Sequence, residues 1–276
     1  MPFHQGQSPK GRTKSSVLVD RGGTQVIRAV ERDEPLTMAP RVDWFFGRGL
    51  SISCGLDWSV PPEWSLRHRE DVISQIKLAI PIEMSSPRIH TGDIKLFLSI
   101  LANKTVSPWQ HQFHTTNWDY LLQREIFELN LTVQPPWCAE THVYHLNGTV
   151  EQALDNGHRS EFVLESDPPS ARTATTEGNI AFNRFIWNRT FVVVGMSFEC
   201  EVDKYLLKSI RNVQDDLPIG ESNWYILNPD EIVLANTADR IRAALPRAKV
   251  ISLHTKFRDW LDAELPELQA CDALAF

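Results

Sequence analysis

Cysteine is scarce in this chain and widely scattered. Cys54, Cys138, Cys200 and Cys271 are its four cysteines, and no two stand at C-x-x-C spacing. Local sequence therefore excludes a zinc ribbon and a dithiol redox centre, and predicts free thiols in a reducing compartment. No run approaches the roughly 20 apolar residues that cross a bilayer. The first residues, through Ser16, are polar and basic and lack the apolar core of a secretory leader. A soluble cytoplasmic protein with no membrane partner is the expectation. Positive charge is also in deficit: 28 Lys and Arg face 35 Asp and Glu, for a net charge of −7. Without a global basic field, no direct contact with nucleic acid is expected. Two nucleotide signatures are missing as well. There is no G-x-x-x-x-G-K-[ST], which excludes a P-loop NTPase. There is no third glycine at dinucleotide-fingerprint spacing and no assignable ribose-binding acid, which argues against an ordinary dehydrogenase.

What is present is an ordinary globular composition over 276 residues, 42% of them hydrophobic. That is enough for one large domain with a sizeable core. Residues 1–21, rich in Lys, Arg, Gly, Ser and Gln, read as a disordered basic arm, and residues 22–276 as a single domain. Strand-like runs cover residues 41–46, 112–116, 141–145, 190–194, 224–227 and 249–253. Helical patterns cover residues 62–80, 91–103, 118–129, 179–188, 201–213, 238–245 and 256–265. Residues 61–104 read as a small helical lobe. The polar stretch 151–177, with Pro168 and Pro169, reads as a surface excursion. Strands alternating with helices predict a Rossmann-like α/β fold: a mostly parallel sheet with helices on both faces.

Ligands of such sheets sit beyond the carboxyl ends of the strands. Polar and glycine residues cluster at those predicted ends: Gly47-Arg48-Gly49 with Ser51, Thr115-Thr116-Asn117, His145, Gly195-Met196-Ser197, and Asn228. Glycine lets backbone approach a phosphate, and a following helix adds a favourable dipole. Each piece also has a bland reading. Asn117 suits a helix cap, G-x-G a plain turn, and a strand-end histidine a satisfied surface residue. His111, His114 and His145 lack the carboxylate spacing of a metal site, so no metal is expected. Most of the nine tryptophans sit in apolar runs and read as core. Trp58, Trp64 and Trp118 fall close enough to the clustered residues to wall a ring.

Taken in order, Gly-x-Gly-Leu-Ser, Thr-Thr-Asn-x-Asp, His-x-x-Gly and Val-Val-Gly-x-Ser-Phe resemble the sirtuin-like family. The likeness is nearest to its bacterial branch of NAD⁺-consuming antiphage proteins, which lack the zinc ribbon, and it spans roughly Val42 to Asn228. The resemblance implies NAD⁺ as substrate and cleavage of the nicotinamide–ribose bond. It implies that Asn117 positions the ribose and the attacking water, that His145 is the general base, and that Asp119 holds the carboxamide. It implies that Gly47, Arg48, Gly49, Ser51, Thr116, Gly195, Ser197 and Asn228 bind the rest of the dinucleotide. A homo-oligomer or a partner ATPase or nuclease of a defence system is implied as the control. Two features depart from the family: Arg48 stands where a small residue is usual, and residues 148–191 hold no cysteine. The first keeps open a hydrolase or transferase acting on another nucleotide. The second weighs against protein deacylation. A binding module that senses NAD⁺ or ADP-ribose without turning it over is the alternative outside catalysis.

Overall fold

Alternate residues of the central strands point into two different apolar layers. In β1 (Val42–Phe46), Trp44 and Phe46 join one buried cluster and Phe45 the other. A strand buried on both sides reads as a continuous apolar run, as Trp44-Phe45-Phe46 and Val192-Val193-Val194 do. The computed structural model describes residues 42–104, 111–132, 143–151, 162–171, 190–216 and 222–263. The basic arm, the helix predicted at residues 179–188, and Cys138 and Cys271 lie outside them.

Six strands form one sheet: β1, β2 (His111–Thr115), β3 (Val143–His145), β4 (Thr190–Val194), β5 (Asn223–Asn228) and β6 (Lys249–His254). Their spatial order is β3-β2-β1-β4-β5-β6, and every pairing is parallel. This is the doubly wound, Rossmann-like arrangement expected from the alternation. Its order reverses between β1 and β4, where such sheets open a crevice for ligands.

One face carries α1 (Arg48–Ser53), α2 (Arg69–Met84), α3 (Gly92–Lys104), α4 (Leu121–Thr132) and α7 (Phe257–Ala263), whose apolar residues pack with Trp44, Phe113 and Val192. The other face carries α5 (Glu201–Asp216) and α6 (Glu231–Ala244), packed on Phe45, Phe191 and Trp224. On that second face, the fully buried His114 Nε2 lies 2.9 Å from Asp43 Oδ1, with its ring stacked between Phe45 and Tyr144. His111, by contrast, accepts from Trp44 Nε1 at 3.0 Å, and burial pushes its pKa down to about 4.

Three element boundaries differ from the sequence reading, each for a local reason. The helix expected over residues 62–80 is broken. A 3₁₀ turn, Pro62–Leu66, is followed by extended Arg67 and His68, and α2 starts at Arg69. Its inward stripe is Val72, Ile73, Ile76, Ile80 and Met84, so Leu66 and Leu78 face outward at 93% and 61% exposure. Helix α4 starts at Leu121 rather than 118, because Asp119 Oδ1 accepts from Leu121 N–H. Helix α6 starts seven residues before the predicted 238: Asp230 caps it by accepting from the N–H groups of Ile232 and Val233. Within the stretch read from its polarity as a surface excursion, Phe162, Val163 and Leu164 are buried.

The loops leaving β1 and β4 cross in direct backbone contact. Gly47 N–H donates to Val194 O at 2.9 Å and Gly49 N–H to Gly195 O at 3.0 Å. A Cβ on Gly49 would lie 2.6 Å from Gly195 Cα, and one on Gly195 would lie 2.5 Å from Gly49 Cα. Gly195 also has a φ of +62°, which side chains disfavour. Gly195→Ala therefore meets strain and a backbone clash together. It is expected to cost more than about 2 kcal/mol of stability in urea unfolding; an unchanged midpoint would show that the crossing tolerates a methyl group.

Candidate active site

Beyond the carboxyl ends of β1, β2 and β4 lies a cavity of about 830 Å³. That is within the ~300–1,000 Å³ usual for small-molecule and cofactor sites. The short helix α1, the β2–α4 turn and the loop after β4 supply Arg48, Ser51, Thr116, Asn117, Asp119 and Ser197 to its lining. Its outer wall comes from residues 56–69, with Trp58, Trp64, Arg67 and Arg69, and from Val163, Leu164, Glu165 and Ser166. Trp58, Trp64 and Trp118 all line it, as their sequence positions suggested, and Trp118 stacks on buried Phe162.

Asn117, half-buried, is the centre of a polar chain that runs to the buried Ser51 and Asp119. Its Nδ2 donates to Gly47 O at 3.0 Å and to Ser51 Oγ at 2.7 Å. Ser51 Oγ in turn donates to Asp119 Oδ2 at 2.6 Å. Both amide hydrogens of Asn117 are thus taken up, so its Oδ1 remains as the acceptor for a ligand. Asn117 N–H donates to Thr115 Oγ1 at 3.0 Å, which fixes the turn. The capping role open to Asn117 from sequence falls to Asp119 instead, since α4 begins later. This frees the Asn117 side chain to face the cavity.

The remaining predicted residues divide. Thr116 lines the cavity, with its N–H on Phe46 O. Ser197 lines it too, and its carbonyl accepts from Arg240 Nη1 at 3.0 Å. Arg48 lines it, half exposed, with its guanidinium on Asp57 at 2.7 Å. Gly47, Gly49 and Gly195 form the crossing and are not among the residues that line the cavity. Asn228 is not part of the lining; its Oδ1 accepts from Asp230 N–H at 2.8 Å, in the turn before α6. His145 is buried and reaches a separate pocket of about 260 Å³ beside Tyr120, Gln123, Arg124 and Glu151. Its Nδ1 lies 3.4 Å from Asn117 O, a long contact in which the carbonyl can only accept.

Asn147, two residues after His145, was missed by the sequence reading. It lines the cavity, donates from Nδ2 to Thr116 O at 2.8 Å, and accepts at its carbonyl from Trp118 Nε1 and Val163 N. The only signal was its place in the tight turn closed by Gly148. The segment of residues 162–167, a strap across the cavity's outer wall, was missed too. Arg69 grips Asp167 through Nε at 2.8 Å and Nη2 at 2.9 Å, and also donates to Phe162 O. Cys200 lines the cavity, while buried Cys54 has its thiol pushed up to about 12 by desolvation. Among the described residues no group of three or more His, Cys, Asp or Glu is placed to hold a metal ion, and no helix is long and apolar enough to cross a membrane.

No family model and no curated protein matches this chain. Among solved structures, it is similar to a Sir2 complex with a p53 peptide and NAD⁺, at TM-score 0.48 and 13% identity over 83% of this chain and 94% of that one. It is similar to Sir2 with the inhibitor EX-527, 2′-O-acetyl-ADP-ribose and a deacetylated p53 peptide, at TM-score 0.48 and 14% identity over 82% and 93%. A further structure, concerned with the mechanism and regulation of Sir2 enzymes, matches at TM-score 0.46 and 15% identity over 86% and 94%.

Burial raises the Asp119 pKa, with donation from Ser51 and Leu121 N–H working against it. A carboxyl that holds its proton more tightly when folded loses stability for the protein as pH rises from the unfolded pKa, about 3.9, through the higher folded one. Asp119→Asn should remove that loss. The variant's stability relative to wild type is expected to be greater at pH 7 than at pH 4 in chemical unfolding; an equal difference at both would refute a raised Asp119.

Proposed function

We propose that the cavity binds NAD⁺ and that the protein hydrolyses its nicotinamide–ribose bond, releasing nicotinamide and ADP-ribose. The observation that carries this reading is Asn117, held by Gly47 O and Ser51 Oγ so that its Oδ1 is left to accept from a ribose hydroxyl or a water. In the reaction the C1′–N bond breaks, and its electron pair neutralises the pyridinium nitrogen. Water oxygen bonds to C1′, and one proton is released. The leaving group departs neutral, so no strong acid is needed, and the sugar passes through an oxocarbenium-like state. What accelerates such a step is orientation of ribose and water. Trp58, Trp64 and Trp118 wall the rings, and Thr116 and Ser197 shape the floor. Asp119 anchors Ser51 and, through it, Asn117. His145 is a positioning residue beneath the Asn117 carbonyl. As the resemblance of its motifs implies, the activity belongs to antiphage defence, with a homo-oligomer or a partner ATPase or nuclease restraining it in the cytoplasm.

One observation favours a second reading, a module that holds NAD⁺ or ADP-ribose without cleaving it: among the described residues no histidine lines the cavity. Nicotinamide release by purified protein separates the two. Asn117→Ala is expected to lower turnover by about 100-fold or more. His145→Ala, acting through the Asn117 backbone, is expected to lower it about tenfold with KM little changed. Equal losses in the two variants would return His145 to the role of base. Intact NAD⁺ bound by wild type with no nicotinamide formed would favour the binding module; absence of NAD⁺ binding would sink the hydrolase, and absence of both NAD⁺ and ADP-ribose binding would sink both readings.

A further inference from the structure

The two glycine amides of the loop are not open to a phosphate. Gly47 N–H is on Val194 O, Gly49 N–H on Gly195 O, and Leu50 N–H on Gly47 O. Helix α1 is only six residues long and contributes little dipole of its own. A dinucleotide nevertheless brings a charged pyrophosphate into the cavity, and burying that charge requires a paired cation or donors.

Three guanidinium groups line the cavity, and they are not equivalent. Arg48 is paired with Asp57, and both side chains are more than half exposed. Arg69 has its fork on Asp167. Arg67 lies over the Trp64 ring, 5.1 Å from the centroid, and among the described residues it has no carboxylate partner. The opposing acids of the lining are also unequal. Asp119 is hydrogen-bonded to Ser51, Glu199 faces Arg240 at 3.6 Å, and exposed Glu165 lies on the strap. Stacking on Trp64 holds the Arg67 guanidinium against the wall without neutralising it. Arg69 is held more rigidly still, and its grip on a carboxylate is the same bidentate geometry that a phosphate accepts.

Resting on the NAD⁺ reading, we propose that the pyrophosphate of the ligand is recognised by side chains of the outer wall, Arg67 first and Arg69 second, and not by the amides of Gly47 and Gly49. Arg67 meets the anion directly. Arg69 exchanges part of its hold on Asp167 for a phosphate oxygen.

Calorimetric titration with four probes tests this: NAD⁺, ADP-ribose, inorganic pyrophosphate and adenosine. Arg67→Ala should weaken ADP-ribose and pyrophosphate by about tenfold or more, as loss of a charge-assisted bond does, and leave adenosine within about twofold of wild type. Arg67→Lys, which keeps the charge and loses the planar fork, should fall between them, and it serves if the alanine variant fails to fold. Unchanged pyrophosphate and ADP-ribose binding in Arg67→Ala overturns the proposal, as does an equal loss for adenosine, which would mark a collapsed wall. If wild type binds pyrophosphate but not NAD⁺, and Arg67→Ala loses it, the NAD⁺ reading falls and the arginine site stands. If wild type binds neither, both fall.

Discussion

Everything at this site depends on two backbone segments lying closer together than side chains allow. The loops after β1 and β4 meet at the point where the strand order reverses, and Gly47, Gly49 and Gly195 are in mutual contact there. Parallel strands with helices on opposite faces diverge at that point and leave a crevice. The crossing holds together the two loops that carry Arg48, Ser51 and Ser197 of the cavity lining. It also fixes the Gly47 carbonyl, which is one of the two anchors of Asn117. A methyl group on any of the three glycines would push the loops apart and release that anchor.

Above the crossing, the site is a sequence of dependencies. Asn117 is aimed by Gly47 and Ser51; Ser51 is aimed by Asp119; Asp119 is held by the first turn of α4. The buried members of this network, Ser51 and Asp119, are hydrogen-bonded, and the Asn117 Oδ1 is the acceptor left facing the cavity. Phe198 extends the same logic to the other loop. Its φ of +51° is unusual for a side chain, and its fully buried ring, edge-on to Phe45 and Trp224, holds the turn that presents Ser197 to the cavity. Across the opening, the Asn147 carbonyl ties Trp118 to the strap at Val163, and Arg69 ties the strap to α2.

Much of this was legible from the residues. The apolar runs at Trp44–Phe46 and Val192–Val194 mark strands buried on both sides, and the alternation with helices predicts the parallel sheet. Asn117, Ser51, Thr116 and Ser197 stand at strand ends and do line one cavity. The errors share a cause. Periodicity carried a helix through Arg67 and His68, because apolar spacing does not register that both residues adopt extended backbone. It began α4 at Trp118, because Asn117 and Asp119 are equally good caps on paper. It passed over Phe162–Leu164, because three apolar residues in a polar stretch give no period.

The sequence by itself determined the layers, the parallel pairing and which strand ends carry polar chemistry, because these follow from hydrophobic periodicity and turn residues within short windows. It could not decide which way a strand-end side chain points. His145 and Asn147 are two residues apart in one turn, yet Asn147 lines the large cavity and His145 the small one. Nor could it decide whether the glycine amides were available, since their partners lie about 150 residues away, on the β4 side of the crossing. Only the tertiary structure settles such questions, because a hydrogen bond or a cavity wall is made by distance in space, and the chain brings distant residues together only when the whole sheet has formed.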